Sequence, residues 1–228
     1  LVGTFDLPSL IPITKIGNRT IKIYPGIKKN GVSVDRKRYP FYKEYSFSQN
    51  LESDSTYIIE PNISYKDNLM IWVEDFEDPS YKFNPYQSDT TLVRVTSPVN
   101  ELFEGGAGLL TLSNGQYQCE MRTNEPIFNN MPTSLSSDAY LELDYSSNYK
   151  LEIGILANSI SGEPYERSPL ITLNPTNNAW NKTYLYIPDA SNFFSGSPEF
   201  DIYFRALNPN QSNDIKIYVD NFKVIFWN

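Results

Sequence analysis

The feature that most constrains this chain is an alternation of apolar and polar residues with a period of two. It recurs from end to end, with almost no helical periodicity beside it. Thr20–Tyr24 sets Ile21 and Ile23 on one side, and Tyr45–Leu51 sets Tyr45, Phe47 and Leu51 on one face. Tyr57-Ile58-Ile59 reads as a further short strand, and Pro25-Gly26 and Asn30-Gly31 mark turns between these segments. Residues 1–66 therefore read as a small antiparallel β-domain.

From residue 67 onward the same signal becomes denser. Candidate strands are Leu69–Val73, Thr91–Val95, Leu109–Leu112, Tyr117–Met121 and Tyr140–Tyr145. Leu151–Leu156, Thr183–Ile187, Glu199–Phe204 and Ile215–Trp227 complete the set. Short strands at this spacing, separated by Gly, Pro, Asn and Ser, predict a β-sandwich, and their number suits a jelly-roll over 67–228. No Gly/Ser linker separates the blocks, so they are expected to abut near Tyr65–Asn68. The fold class expected is all-β throughout.

Composition narrows the function. The chain has no histidine and one cysteine, Cys119. Ser-His-Asp and Cys-His catalysis, Cys/His zinc sites and an intramolecular disulfide are excluded within it. Cys119, between Tyr117 and Met121 on an alternating strand, reads as a buried small hydrophobe. Nineteen basic and 27 acidic residues give a net charge of −8, which disfavours nucleic acid and anionic lipid as partners. That charge is unevenly divided: 1–66 carries +4 and 67–228 carries −12. Much of the positive charge lies in Lys28-Lys29 and Arg36-Lys37-Arg38, either a solvated hairpin or an arm facing an acidic partner.

The last strand carries the most specific local signal. Ile215, Ile217 and Val219 are apolar on odd positions, and Phe222, Val224 and Phe226 on even ones. An extra residue at Asp220-Asn221, a β-bulge, would return both groups to one core face. The alternative is a strand buried on both faces, since Ile225 and Trp227 are also apolar. The cluster Glu74-Asp75-Phe76-Glu77-Asp78 concentrates four carboxylates that repel one another unless a cation or a basic side chain intervenes. Asp220 is expected near it if first and last strands are neighbours. Calcium, with oxygen ligands and backbone carbonyls, is then the natural ion; Asp75 joins the candidate ligands, and a solvated or salt-bridged turn is the alternative.

Phe76-Glu-Asp78, Tyr140-Leu-Glu-Leu-Asp-Tyr145, Trp180-Asn-Lys-Thr-Tyr184 and Ile217-Tyr-Val-Asp-Asn-Phe-Lys-Val224 resemble segments of galactose-binding-like jelly-rolls, the fold of many carbohydrate-binding modules. The resemblance covers 70–228. It implies a structural calcium between Glu77 and Asp220. The first block, with Pro25-Gly-Ile27 and Tyr39-Pro-Phe-Tyr42, resembles Ig-like domains of the carboxypeptidase-regulatory or PEGA kind. Together the two resemble bacterial lipid-anchored surface proteins. That implies an extracytoplasmic protein at the outer membrane or cell surface, with an anchoring cysteine upstream of Leu1, and Cys119 cannot be that residue.

Catalytic candidates read more simply as structure. Glu142 and Asp144 alternate with Leu141 and Leu143 as the polar side of a strand. Glu163 and Glu166 flank Pro164-Tyr165 in a loop. Ser195-Gly196 lacks the setting of a nucleophile elbow, and Gly105–Gly108 reads as a flexible turn. The expectation is a non-enzyme. It acts either as an accessory or scaffold subunit of an outer-membrane protein complex, or as a carbohydrate-binding module that recognises a surface glycan. For the latter the candidate ligand residues are Trp180, Tyr184 and Tyr186. Tyr184 and Tyr186 share a strand face, and Tyr203 and Tyr149 are expected on the same outer sheet. Trp180 in the core is the plainer alternative.

Overall fold

A computed structural model describes residues 2–98, 101–124, 128–157, 166–197, 199–211 and 213–228. Its first strands are β1 (Gly17–Ile23), β2 (Gly26–Lys28), β3 (Arg36–Arg38), β4 (Tyr45–Leu51) and β5 (Leu69–Glu74). Next come β6 (Phe83–Pro85), β7 (Val93–Val95), β8 (Ala107–Leu112), β9 (Gln118–Thr123) and β10 (Ala139–Ser147). The last are β11 (Leu151–Ala157), β12 (Glu166–Leu173), β13 (Asn181–Tyr186), β14 (Phe200–Leu207) and β15 (Ile215–Trp227). One helical turn, α1 (Pro188–Ser191), follows β13.

Two units emerge from the contacts. The smaller comprises Leu1–Gly26 and Arg38–Asp67, the larger Ile27–Lys37 and Asn68–Asn228. In the smaller unit β1 and β4 form an antiparallel ribbon. It opposes Ile21 to Phe47 and Ile23 to Tyr45 on one face, and Thr20 to Ser48 and Lys22 to Ser46 on the other. The ribbon is amphipathic because its side-chain period is two. The Tyr39–Tyr42 motif supplies an aromatic knot, with the Tyr39 ring 5.3 Å from Phe41 and 4.7 Å from Tyr42. Tyr57–Ile59, expected as a strand, is not one.

The larger unit is a jelly-roll β-sandwich. One sheet runs β13-β10-β15-β8-β7, with β5 also on β15; the other runs β12-β11-β14-β9-β6. Each strand turns alternate side chains inward. Leu141 and Leu143, Ile153 and Ile155, Ile202 and Phe204, and Cys119 and Met121 all enter the shared core. Phe83, Phe204 and Phe222 meet there with centroids 5.0–5.4 Å apart. Each such side chain contributes about 1.5–3 kcal/mol when fully removed from water.

The segment Ile27–Lys37, counted by sequence with the first block, packs on the larger unit. Asn30 N donates to Tyr184 O at 2.8 Å, and Asn30 Oδ1 accepts from Tyr186 N at 2.8 Å. The Lys29 ammonium lies 3.2 Å from Asp189 and 4.0 Å above the Tyr186 ring. Lys37 pairs with Asp35 at 3.1 Å. Two of the basic side chains expected to face an outside partner thus have acidic partners of their own. The hairpin also covers the edge of β13, which would otherwise present unpaired backbone groups.

Candidate functional site

Strand β15 is flanked on one edge by two strands placed end to end. β5 pairs with Phe222–Trp227 and β8 with Ile215–Val219. Asp220 and Asn221 fall in the gap between them. On the other edge Glu142 opposes Lys223 and Asp144 opposes Asp220, so β15 has one residue more than β10. This is the bulge expected from the parity break. Asn221 absorbs it at φ 50°, a left-handed conformation that asparagine tolerates. The insertion turns Ile215, Ile217, Val219, Phe222, Val224 and Phe226 all into the core and leaves Asp220 on the opposite face.

Asp220 is fully buried. Its Oδ1 accepts from Asn221 N at 2.6 Å, while Oδ2 has no hydrogen-bond partner. Burial pushes its carboxyl up to about 8, and Glu104, Asp144 and Glu77 add to the rise. Glu77 reaches the seam from the turn after β5. Its Oε1 accepts from Gly106 N at 2.8 Å, and its carboxylate occupies the space that a Cβ at Gly105 would need. Glu104 Oε1 accepts from Asn221 Nδ2 at 3.0 Å. Glycines at 105 and 106 therefore let the loop close against the turn. The run expected as a flexible turn is a close-packed wall.

The other acids of the cluster have different work. Glu74 is buried and accepts from Phe76 N at 2.8 Å and Lys82 N at 2.6 Å, which holds the turn at Phe76, φ 55°. Asp75 is exposed and accepts from Glu77 N at 3.3 Å; it is not brought to Asp220. Arg94 donates to Phe76 O and Glu77 O at 2.5 and 2.8 Å. Among the described residues no group of three or more acidic or cysteine side chains is arranged around a metal position. A cation here would rest on the carboxylates of Glu77 and Asp220. The orphaned, buried Oδ2 of Asp220 is a carboxylate oxygen of the kind that calcium takes as a ligand.

The expected aromatic platform is not assembled. Trp180 is half-buried, donates from Nε1 to Glu101 O at 3.0 Å, and packs 5.7 Å from Phe103 and 6.2 Å from Tyr218. Tyr184 and Tyr186 share a face, but at the sheet edge beneath the hairpin. Tyr186 is buried, its hydroxyl 2.7–2.8 Å from Leu135 O and Ser137 O. Tyr203 lies in the other sheet, and Tyr149 packs against the core. Glu142 and Asp144 do take the non-core side of β10. They are buried rather than solvated, with Lys182 3.4 and 3.5 Å away. Glu163, Pro164 and Tyr165 lie outside the described residues; Glu166 begins β12 and is exposed.

A polar face that the sequence analysis did not single out lies on the outer side of the five-stranded sheet. Register places Glu152 beside Arg205 and Arg205 beside Glu120, an alternating row across β11, β14 and β9. The next row is Gly154, Tyr203 and Arg122. Glu152 accepts from Tyr203 OH at 2.8 Å and Arg205 Nη2 at 2.6 Å. Glu120, fully buried, accepts from Arg167 Nε at 3.1 Å, and its Oε2 lies 3.9 Å from Arg205 Nη1. Arg122 lies 3.7 Å from Asp201. Tyr86 carries the guanidinium groups of Arg122 and Arg167 over its ring, at 4.7 and 5.6 Å. Burial raises the carboxyls of Glu120 and Asp201 despite these partners. Glu120 Oε2 and Arg205 Nε are buried without hydrogen bonds. The available signal was Gln118-Glu120-Arg122 alternating with Cys119-Met121-Thr123, matched by Asp201-Tyr203-Arg205.

The fold is thus a jelly-roll β-sandwich with a bulge-built acidic seam on one sheet and a charged polar face on the other. No family model matches the chain, and no curated protein matches it. Among solved structures, a family 11 carbohydrate-binding module of a cellulosomal cellulase of Clostridium thermocellum is 16% identical. That match covers 67% of this chain and 92% of the module, with a TM-score of 0.45. A variant family 29 carbohydrate-binding module complexed with mannohexaose is 16% identical over 69% of this chain and 92% of its own, with a TM-score of 0.43. Another, complexed with cellulohexaose, is 15% identical over 70% and 93%, with a TM-score of 0.44. Scores of this size assign no function.

Proposed function

We propose that the larger unit is a non-catalytic glycan-binding module whose ligand lies across the outer face of the five-stranded sheet. One observation supports this above all. The Glu152–Arg205–Glu120 row interleaves donors and acceptors, and the side chains of Glu152, Arg205 and Arg167 keep part of their surface in solvent. A ligand bearing many hydroxyls can satisfy exposed donors and acceptors of this kind alike. Tyr86, at the margin, supplies an aromatic edge. The acids on this face are tied to arginines, an arrangement suited to binding and not to proton transfer. A structural calcium held by Glu77 and Asp220 accompanies this reading, and an extracytoplasmic setting, rich in calcium and glycans, suits both. The membrane-complex scaffold reading has no specific observation in its favour among the described residues.

Affinity electrophoresis against a polysaccharide panel tests the proposal. At least one polysaccharide should retard the wild-type protein. Arg205→Ala should lose about tenfold or more in affinity, the equivalent of roughly 1.4 kcal/mol. Trp180→Ala, on the other sheet, should bind normally. Circular dichroism confirms that each variant is folded. A folded Arg205→Ala that binds like wild type, or a wild type that no polysaccharide retards, would overturn the reading.

A further inference from the structure

The loop Glu101–Gly106 touches the acidic seam at one end and the Trp180 stack at the other. At its start, Glu101 O accepts from Trp180 Nε1 at 3.0 Å, and Glu101 Oε2 accepts from Lys216 Nζ at 2.5 Å and from the Tyr218 hydroxyl. In its middle, Phe103 packs on Trp180 and is half exposed at 51%. At its end, Glu104 accepts from Asn221 Nδ2, and Gly106 N donates to Glu77. Every one of these anchors lies on β15, on the segment opening β13, or on the turn after β5. The loop crosses the seam without forming a strand of its own until Ala107.

The seam gathers four acidic side chains, Asp144, Asp220, Glu77 and Glu104. Asp220 and Asp144 are opposed on neighbouring strands, Glu104 is bonded to the residue next to Asp220, and Glu77 presses on Gly105. Lys182 reaches Asp144, and Arg94 takes backbone carbonyls. The fully buried Asp220 Oδ2 faces this group with no partner. A charge placed between Glu77 and Asp220 would draw in the carboxylate that carries Gly106. Without it, nothing draws Glu77 and Asp220 together and the loop is held less firmly.

We propose that Glu101–Gly106 is a cation-responsive strap: a divalent cation at Glu77 and Asp220 closes it, and closure sets the Phe103–Trp180–Tyr218 stack on the outer face of the six-stranded sheet. The proposal rests on the calcium reading and goes beyond it, because it assigns the ion an effect at Trp180. Glu101 is a positioning residue in this scheme. It touches no ion and transmits the loop's position to Trp180 through its backbone oxygen and to β15 through its carboxylate.

The test uses the whole chain labelled with 5-fluorotryptophan, which gives one resonance each for Trp72, Trp180 and Trp227, the Trp180 signal being assigned with Trp180→Phe. Calcium binding is measured in parallel by titration calorimetry. Calcium added to the chelated protein should shift and sharpen the Trp180 resonance and leave Trp72 unmoved. In Glu101→Gln calcium should still bind, with the Trp180 response reduced. Calcium that binds while Trp180 stays unchanged would overturn the strap and leave the ion site standing. Absence of any calcium binding would remove the ion site and the strap with it.

Discussion

Asp144 and Asp220 stand directly opposite each other across the β10–β15 pairing, the one place in that register where two carboxylates meet. Like charges in this position destabilise a sheet. Lys182, 3.5 Å from Asp144, offsets only one of the two. The bulge at Asn221 is what brings Asp220 to this position, so the geometry that repairs the core also creates the electrostatic problem beside it.

The first prediction comes from that pairing. In chelator above pH about 8, where Asp220 is ionised, the wild-type protein should carry the full repulsion, and calcium should relieve it. At a hundredfold excess over its dissociation constant the ion contributes about 2.7 kcal/mol, roughly 5–10 °C in melting temperature for a protein of this size. Asp220→Asn removes both the buried charge and the ligand. In chelator it should melt at or above wild type, and it should not respond to calcium. Melting curves followed by circular dichroism decide this. An equal calcium response in the variant would show that Asp220 does not hold the ion.

The second prediction concerns Gly154, the floor of the polar face. A Cβ there would lie 2.5 Å from Ser168 O and 2.6 Å from the Tyr203 ring. The ring can move, but the clash with the backbone oxygen is relieved only if the β11–β12 pairing shifts as well. Gly154→Ala should cost about 1–3 kcal/mol, as overpacked sites do. Tyr203 also bonds Glu152, which holds Arg205, so glycan affinity should fall together with stability. Denaturant titration and affinity electrophoresis on the same preparation measure both. Unchanged stability would mean that the ring is not confined by its neighbour.

These two sites differ in how far the amino-acid sequence announces them. The bulge was legible because parity is a local property: Val219 and Phe222 lie close together in one strand, and only an inserted residue reconciles them. Asp220 was reachable near the acidic cluster because first and last strands tend to pair, whereas Glu77 was singled out within that cluster only by the resemblance. The polar face was not legible. Glu120, Glu152 and Arg205 each look like the solvated side of an isolated strand, and they become a charge row only through the strand order β11-β14-β9. The aromatics misled for the same reason. Alternation correctly put Tyr184 and Tyr186 on one face, but contacts remote in sequence, from Asn30 and from Leu135 and Ser137, decided that Tyr186 would be covered.

The third prediction uses Cys119. Burial pushes its thiol from 9.0 up to about 12. A group whose pKa is raised on folding contributes stability that is fully present below its unfolded value and is lost as pH rises through the folded one. Stability should therefore decline between about pH 9 and pH 12 through this thiol, and Cys119→Ala should show a shallower decline. At pH about 9, where the unfolded thiol is half ionised, iodoacetamide should leave the folded protein unmodified and alkylate it in guanidinium. Rapid labelling of the folded protein, counted by mass spectrometry, would show the thiol to be accessible.

The last prediction separates the two roles of Asn221, which carries the bulge at φ 50° and also binds Glu104 through its side chain. Asn221→Gly keeps the backbone conformation and deletes the hydrogen bond. Because the lost partner, Glu104, is a carboxylate, the cost should be about 1.5–3 kcal/mol or less, depending on how readily water replaces the donor. Asn221→Val deletes the same bond and adds a β-branched side chain in a left-handed conformation, which costs a further 1–3 kcal/mol or so. Valine should thus be the more damaging change, although it is the better strand former elsewhere. If the bulge were absent, Asn221 would be an ordinary strand residue and the order would reverse, with glycine the worse of the two. Chemical denaturation of the two variants side by side gives the sign directly, independent of any ion.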